Sequence, residues 1–450
     1  MDRSRNQPRR TPQSAVVPTG TSLLAAALLV NGIATYAFFG LIRRHLGADE
    51  YSAIAVLWGL MLILGPGLFQ PLEQEVARNT TARVHQGVGS APVLRAAARI
   101  GLFEVAVLSI LLVALWPIGL GSLLRDQPLL LVALITGMLA IAASHLARGL
   151  VAGRRRFGRY ASYFIGDGIA RLVALGILIA LGVSTAGWFG LAIGSGFLAG
   201  FLVLIVGRQP FALAGPPATT AQLRPALGLL LFASLAEAII LNAGPVLVEL
   251  LGDEPDEAGR FLNGLIISRV PLFLFQAVKA SLLPSLTELD SMGDFRHFLH
   301  TLRRIAGAVM AFVAVGSIGA ALIGPLAVEM LFRDELTSFQ MALMAFGSGV
   351  MMLVQTLSAA LVAMQRAKRA VVGWAAGVLA VLSAFVLPGS AITRVAGSLA
   401  IGAAVCAGVL ASLVIAGVRR SETARSETAR SETARSETAR SEITRTAEQS

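Results

Sequence analysis

Apolar residues fall into twelve blocks of 18 to 26 residues, with the polar positions gathered in short stretches between them. The blocks cover 21–42, 51–72, 98–119, 127–148, 160–182, 186–207, 225–250, 261–283, 305–326, 338–362, 371–388 and 394–418. A helix that crosses hydrocarbon needs about 20 mostly apolar residues. The pattern therefore predicts an all-α integral membrane protein of about twelve transmembrane helices. The first block is too long for a cleaved signal segment and reads as a retained span. Nothing between the blocks is long enough to fold as a separate domain.

The order of short motifs repeats. GLFQPL, ending span 2 with Gln70, returns near the end of span 8 as FLFQAV with Gln276, 206 residues later. Leu46-Gly47 before span 2 returns as Leu251-Gly252 before span 8, and LVAGRR after span 4 returns as LVAMQR after span 10. Three echoes in one order at nearly one offset predict a six-plus-six duplication. Six is even, so the two lobes share one orientation and form a parallel repeat with a cavity between them. The expected organisation is a tail at 1–20, an N-lobe at 21–207, a linker at 208–224, a C-lobe at 225–418 and a tail at 419–450. That last tail repeats SETAR and has no large apolar residue, so it reads as solvated and unstructured.

Composition agrees with lipid. Charged residues are 14% of the chain, against roughly a quarter in soluble domains. The net charge of +11 would suit nucleic acid, but the basic residues sit in short clusters between apolar blocks, where they set topology. Of 37 Arg and Lys, 29 fall in the tails and even-numbered connections. The odd-numbered connections hold only Arg43, Arg44, Arg125, Arg260, Arg333 and Arg394, while Arg171 and Arg269 lie inside spans. The positive-inside rule then predicts both termini in the cytoplasm of a cell whose inner membrane this chain crosses. The partner implied is a bilayer, with no nucleic acid. One cysteine, Cys406, excludes an intrachain disulfide or a cysteine-based metal site. No P-loop, dinucleotide fingerprint or HExxH motif is present, so no cofactor and no enzyme activity is expected, and transport would run on a gradient.

The chemistry lies in polar groups at lipid depth, which are costly there and usually face a cavity or a partner. Arg269 is mid-span in span 8, two turns before Gln276 on the same face. Two roles remain open for it: holding an anionic headgroup in a central cavity, or pairing with Glu237 of span 7. Glu237 is correspondingly a coupling carboxylate or that pairing partner. By the repeat offset it falls on Asn31 of span 1, so both lobes place a polar group at one depth. In span 5, Tyr160, Tyr163, Asp167 and Arg171 form one helical stripe. Asp167 and Arg171 are an i,i+4 pair that either neutralises itself or lines a cavity. Glu104, His145 and Gln355 lie towards the ends expected in the cytoplasm. Gly65-Pro66-Gly67 and Pro271 mark matching places where spans 2 and 8 are expected to bend or pack closely.

Two stretches carry a resemblance. LGADEYSAIAVLWGLMLILGPGLFQPLEQEVAR, from Leu46, and RGLVAGRRRFGRYASYFIGDGIARLVALG, from Arg148, resemble the multidrug/oligosaccharidyl-lipid/polysaccharide exporter superfamily, and within it the polysaccharide-biosynthesis flippase branch. The similarity covers roughly residues 20 to 418. It implies a flippase that moves a polyprenyl-(pyro)phosphate-linked oligosaccharide by alternating access for cell-surface polysaccharide synthesis. Arg269 would hold the phosphate, with Gln70, Gln276 and Asn31 on polar groups of the cargo. The tail would meet glycan-assembly proteins. The alternative within the superfamily is a cation-coupled multidrug exporter, with Glu237 or Asp167 as the coupling acid. A glycan polymerase or ligase is the less favoured reading, because the external loops are too short for its site.

Overall fold

The computed structural model describes residues 19–206, 213–218, 224–270, 272 and 295–448, and every regular element among them is helical. The first lobe comprises α1 (Thr19–His45), α2 (Ala48–His85), α3 (Ala91–Leu115), α4 (Leu120–Leu123), α5 (Pro128–Gly153), α6 (Phe157–Ala180) and α7 (Ala186–Ile205). The second comprises α8 (Arg224–Asn242), α9 (Gly244–Leu251), α10 (Glu257–Ser268), α11 (Phe295–Phe332), α12 (Ser338–Ala363), α13 (Ala367–Val381) and α14 (Ala391–Glu448). Ten of the described helices are long and apolar enough to cross a membrane, and the bent pair α8–α9 makes an eleventh. α10 begins the remaining expected span, 261–283, about half of which lies outside the described residues.

The duplication read from the motifs is visible in the packing. In the first lobe α5 lies against α2, α3 and α7, and α6 joins α7 to α1. In the second lobe α12 lies against α10, α11 and α14, and α13 joins α14 to α8. Each helix thus has its counterpart six spans on. The lobes meet mainly along α2, which contacts α8, α9 and α10.

Several helices outrun their apolar blocks. α2 continues from the expected limit at 72 to His85, and α11 covers Phe295–Phe332 where 305–326 is the apolar part. The hydropathy pattern registers only the portion that lies in hydrocarbon. Polar turns beyond it keep their backbone bonds internally and continue in water or headgroups. A larger difference concerns the tail expected to be unstructured: the backbone of α14 is one 58-residue helix from Ala391 to Glu448. The SETAR unit contains no Gly or Pro and sets each Glu three residues before an Arg, a spacing that supports helix.

Prolines fall where the helices change. Span 7 bends by 57° between α8 and α9, at Gly244-Pro245. Proline has no N–H to offer the carbonyl four residues back and its ring crowds that turn. α2 instead runs on through Pro66 and Pro71. The carbonyl that Pro66 leaves without a donor is that of Leu62, and the Asn242 side chain of the other lobe donates to it at 3.4 Å. Beside it the Ser234 hydroxyl donates to the Pro66 carbonyl at 2.9 Å. The proline thus opens α2 to hydrogen bonding from α8.

The connections sort into two ends. The odd end carries the turns after α1, α3, α6, α9, α11 and α13, and the even end carries those after α2, α5, α7 and α12. At the even end the described part of the linker, 213–218, is tied to the first lobe. Arg83 donates to the carbonyls of Gly89, Pro216 and Pro217, and the Ala91 amide donates to Leu213.

Glycines let α5 and α2 touch backbone to backbone. A Cβ added at Gly149 would lie 2.5 Å from the Glu73 carbonyl oxygen, and one at Gly153 would lie 2.6 Å from that of Ala77. Gly149→Ala should therefore destabilise the protein by about 1–3 kcal/mol through overpacking. Gly176→Ala, which meets nothing within 4 Å, should stabilise α6 by up to about 1 kcal/mol. Thermal unfolding in detergent, compared between the two variants, checks both signs.

Candidate functional site

Four polar clusters interrupt the apolar interior. The first lies inside the first lobe, between α1 and α6. Arg171 donates to both oxygens of Asp167, at 2.6 and 2.8 Å, and both side chains are almost fully buried. Asn31 donates to Asp167 Oδ2 at 2.8 Å and to the Phe164 carbonyl at 3.0 Å, while Arg171 reaches Thr35 at 3.1 Å. The guanidinium also sits 5.4–5.9 Å from the ring centroids of Phe38, Trp58 and Phe197. The stripe read from the sequence is real and self-neutralised. Asn31, expected to touch cargo, is instead bonded to Asp167.

The second cluster is at the even end of the same lobe, and the sequence reading did not assemble it. Glu73 Oε2 accepts from Arg148 at 2.6 Å and lies 2.7 Å from His145 Nδ1, and Oε1 accepts from the Tyr160 hydroxyl at 2.6 Å. Arg148 Nη2 also lies 2.8 Å from His145 Nδ1. One ring nitrogen can donate to Glu73 or accept from Arg148, but not both, so the imidazole tautomer decides which bond is made. Tyr163 and Phe164 complete an aromatic wall 5.1 and 5.9 Å from the guanidinium. A cavity of about 300 Å³ opens beside this group, lined by Gln70, Glu73, Gln74 and Ala77 of α2 with Arg148, Ala152 and Tyr160. Gln70 is one of the residues lining it, on the first-lobe side only. The missed signal was the i, i+3, i+4 spacing of Gln70, Glu73 and Gln74, which puts three polar groups on one face of a membrane helix.

The third cluster is in the second lobe. Arg269 donates to Asn242 Oδ1 at 3.0 Å, and Glu237 accepts from Gln355 at 2.6 Å. The ion pair between Arg269 and Glu237 that the sequence left open is not formed. Arg269 turns into the lobe, towards a cavity of about 20 Å³ lined also by Phe261, Leu265, Met344 and Ser348. It steadies Asn242, and Asn242 reaches the Leu62 carbonyl of the first lobe. Gln276 lies outside the described residues, as does Pro271.

The fourth cluster joins the lobes at the odd end. Arg43 of α1 makes a bidentate contact with Asp334, at 2.6 Å for its shortest bond. Asn263 of α10 donates to Asp334 at 2.6 Å and accepts from the buried Tyr51 hydroxyl of α2, whose ring lies under Arg43. Nearby, Arg44 donates to the Met330 carbonyl and the Gly259 amide donates to Ser52. Among the described residues no group of three or more His, Cys, Asp and Glu could hold a metal ion. Outside the spans, Arg154 is partly buried beside Arg156 and Arg159. Its pKa is held below the ordinary guanidinium value by burial first and by those like charges second.

Solved structures share this overall fold. The chain superposes on the inward-facing conformation of a multidrug resistance MATE family transporter of the MOP superfamily with a TM-score of 0.66 at 14% identity, covering 89% of this chain and 99% of that one. The fold is that of the MATE transporters. An outward-facing structure of such a transporter gives 0.62 at 11% identity, over 90% of this chain and 96% of that one. The eukaryotic MATE transporter AtDTX14 gives 0.61 at 14%, over 89% and 97%. No protein-family model and no curated protein matches the chain.

Removing one partner of a buried pair leaves an uncompensated charge, at a cost of about 3–5 kcal/mol. Glu73→Gln should therefore lower the unfolding temperature far more than the double variant Glu73→Gln with Arg148→Gln. A double-mutant cycle on thermal unfolding in detergent measures the difference.

Proposed function

We propose that this chain is an alternating-access exporter of small organic molecules. The observation that carries the reading is the inter-lobe lock at the odd end, Arg43–Asp334–Asn263–Tyr51, set against an open polar cavity at the even end. One end is held shut by bonds between lobes that a rocking motion would break, while cargo-sized space faces the other. The MATE fold supports the same mechanism. The excess of Arg and Lys at the even end puts that end in the cytoplasm, so the state described is inward-facing. The location is then the cytoplasmic membrane, with both termini inside.

Between the two substrate readings the multidrug-type exporter is favoured. The glycan-flippase reading relied on Arg269 presenting a free guanidinium to a central cavity. Arg269 instead lies in the second lobe on Asn242, and its bonding suits a structural role. Of the two coupling acids, Glu237 is the better candidate, because its one described bond is to an amide. Asp167 is already bonded on both oxygens by Arg171 and also by Asn31.

Two experiments test this. Asp334→Asn removes the charge pair at the odd end and should raise the labelling rate of a cysteine placed at Ser52, in a Cys406→Ser background, by about tenfold or more, since one lost buried contact of 1.4 kcal/mol already shifts a two-state equilibrium tenfold. An unchanged rate would remove the lock from the mechanism. In proteoliposomes carrying an imposed pH gradient, Glu237→Gln should abolish movement of an uncharged fluorescent drug while keeping the thermal stability of the parent. Full movement by that variant would exclude Glu237 as the coupling acid.

A further inference from the structure

The cavity beside Glu73 has a definite chemical character. α2 supplies Gln70, Glu73, Gln74 and Ala77 at i, i+3, i+4 and i+7, a single stripe, and α5 and α6 supply Arg148, Ala152 and Tyr160. The charges within it cancel. Glu73 and Arg148 are a 2.6 Å pair with side-chain exposures of only 12% and 14%. Both Glu73 oxygens are engaged, Oε1 by Tyr160 and Oε2 by Arg148 and His145. The two glutamine amides have no protein partner among the described residues, and Gln74 is exposed. Small side chains, Ala77 and Ala152, leave the space in front of them empty.

We infer that this cavity is the subsite for an uncharged part of the cargo rich in hydroxyl or amide groups. The inference rests on the exporter reading and names the cargo chemistry the cavity selects. A cation has no free carboxylate here. It would have to displace Arg148, leaving a guanidinium without its counter-charge in a buried site. An anion would have to take Arg148 from Glu73 and then face that carboxylate. A neutral polar group meets neither obstacle. The paired amides offer donors and acceptors in both senses, which suits hydroxyls and secondary amides, while Tyr160 provides an aromatic edge. The volume, about 300 Å³, is at the small end of ligand pockets and admits one ring-sized group.

The test uses the full chain in liposomes, with Cys406→Ser and a single reporter, Ala77→Cys, on the cavity wall. The rate of modification by N-ethylmaleimide is followed with and without four probes. Free N-acetylglucosamine, or monoglucosyl-diacylglycerol in the bilayer, should slow the reaction about tenfold when present at roughly ten times its dissociation constant. Protection by the free sugar identifies a soluble cargo, and protection by the glycolipid alone identifies a lipid headgroup. Either supports the subsite, provided that Gln70→Ala with Gln74→Ala removes the protection. Equal or greater protection by tetraphenylphosphonium or by inorganic phosphate would overturn it, as would no protection by either sugar. Ala152→Cys serves as a second reporter if the first does not fold. The result is independent of odd-end labelling in Asp334→Asn, so loss of the alternating-access reading would leave this outcome interpretable.

Discussion

A charge that enters hydrocarbon needs a counter-charge or a strong hydrogen-bonding partner, and this constraint shapes the polar interior; Arg269 and Glu237 each take an amide. The effective penalty for burying an isolated carboxylate or guanidinium is several kcal/mol, a large share of the net stability of a protein. Asp167 therefore lies on Arg171, Glu73 on Arg148 and Asp334 on Arg43. The three pairs differ in what they join. The first lies within α6, where Asn31 and Thr35 of α1 bond to it. The second lies beside a cavity and fixes the character of that cavity. The third crosses from one lobe to the other at a single end. Similar electrostatics thus yields a strut, a lining and a latch.

Backbone satisfaction imposes a second demand at the same places. A proline in a membrane helix frees a carbonyl that no water can reach, and neighbouring helices must supply the donor. Pro66 frees Leu62, Asn242 supplies the bond, and Arg269 holds Asn242 in position. One missing backbone hydrogen bond in the first lobe is thereby linked to an arginine in the second. The seam between the lobes is made along α2, where that carbonyl lies, and α2 is the element that carries both the cavity wall and the inter-lobe contacts.

The sequence revealed the class, the duplication and the Asp167–Arg171 pair, because each depends on local order: block length, motif order, an i,i+4 spacing. It did not reveal the partners of Arg43, Glu73 or Arg269. Arg43 and Asp334 are 291 positions apart, and nothing in either neighbourhood points to the other. Glu73 lies one residue past the expected end of span 2 at 72, so it was not counted among the polar groups at lipid depth. The helix in fact runs to His85, which carries that carboxylate inside the bundle. Arg269 and Glu237 were paired on depth alone, and each takes an amide instead. The tail beyond 419 shows the opposite failure. Its composition cannot bury a core, yet a helix needs no core to keep its own backbone bonds.

The contact between α5 and α2 has a genetic consequence. At Gly149 and Gly153 the facing backbone occupies the space that any Cβ would need. A glycine codon reaches only side-chain-bearing residues or a stop by a single missense or nonsense change. Apart from synonymous changes, these two sites therefore have no single-step neighbour that leaves the contact intact. The charged pairs beside them can drift together by compensating exchange, whereas the glycines have nothing to exchange with. Under random mutation the contact behind the cavity would be held fixed by its smallest residues, and variation would fall on the glutamines and the aromatic edge that line it.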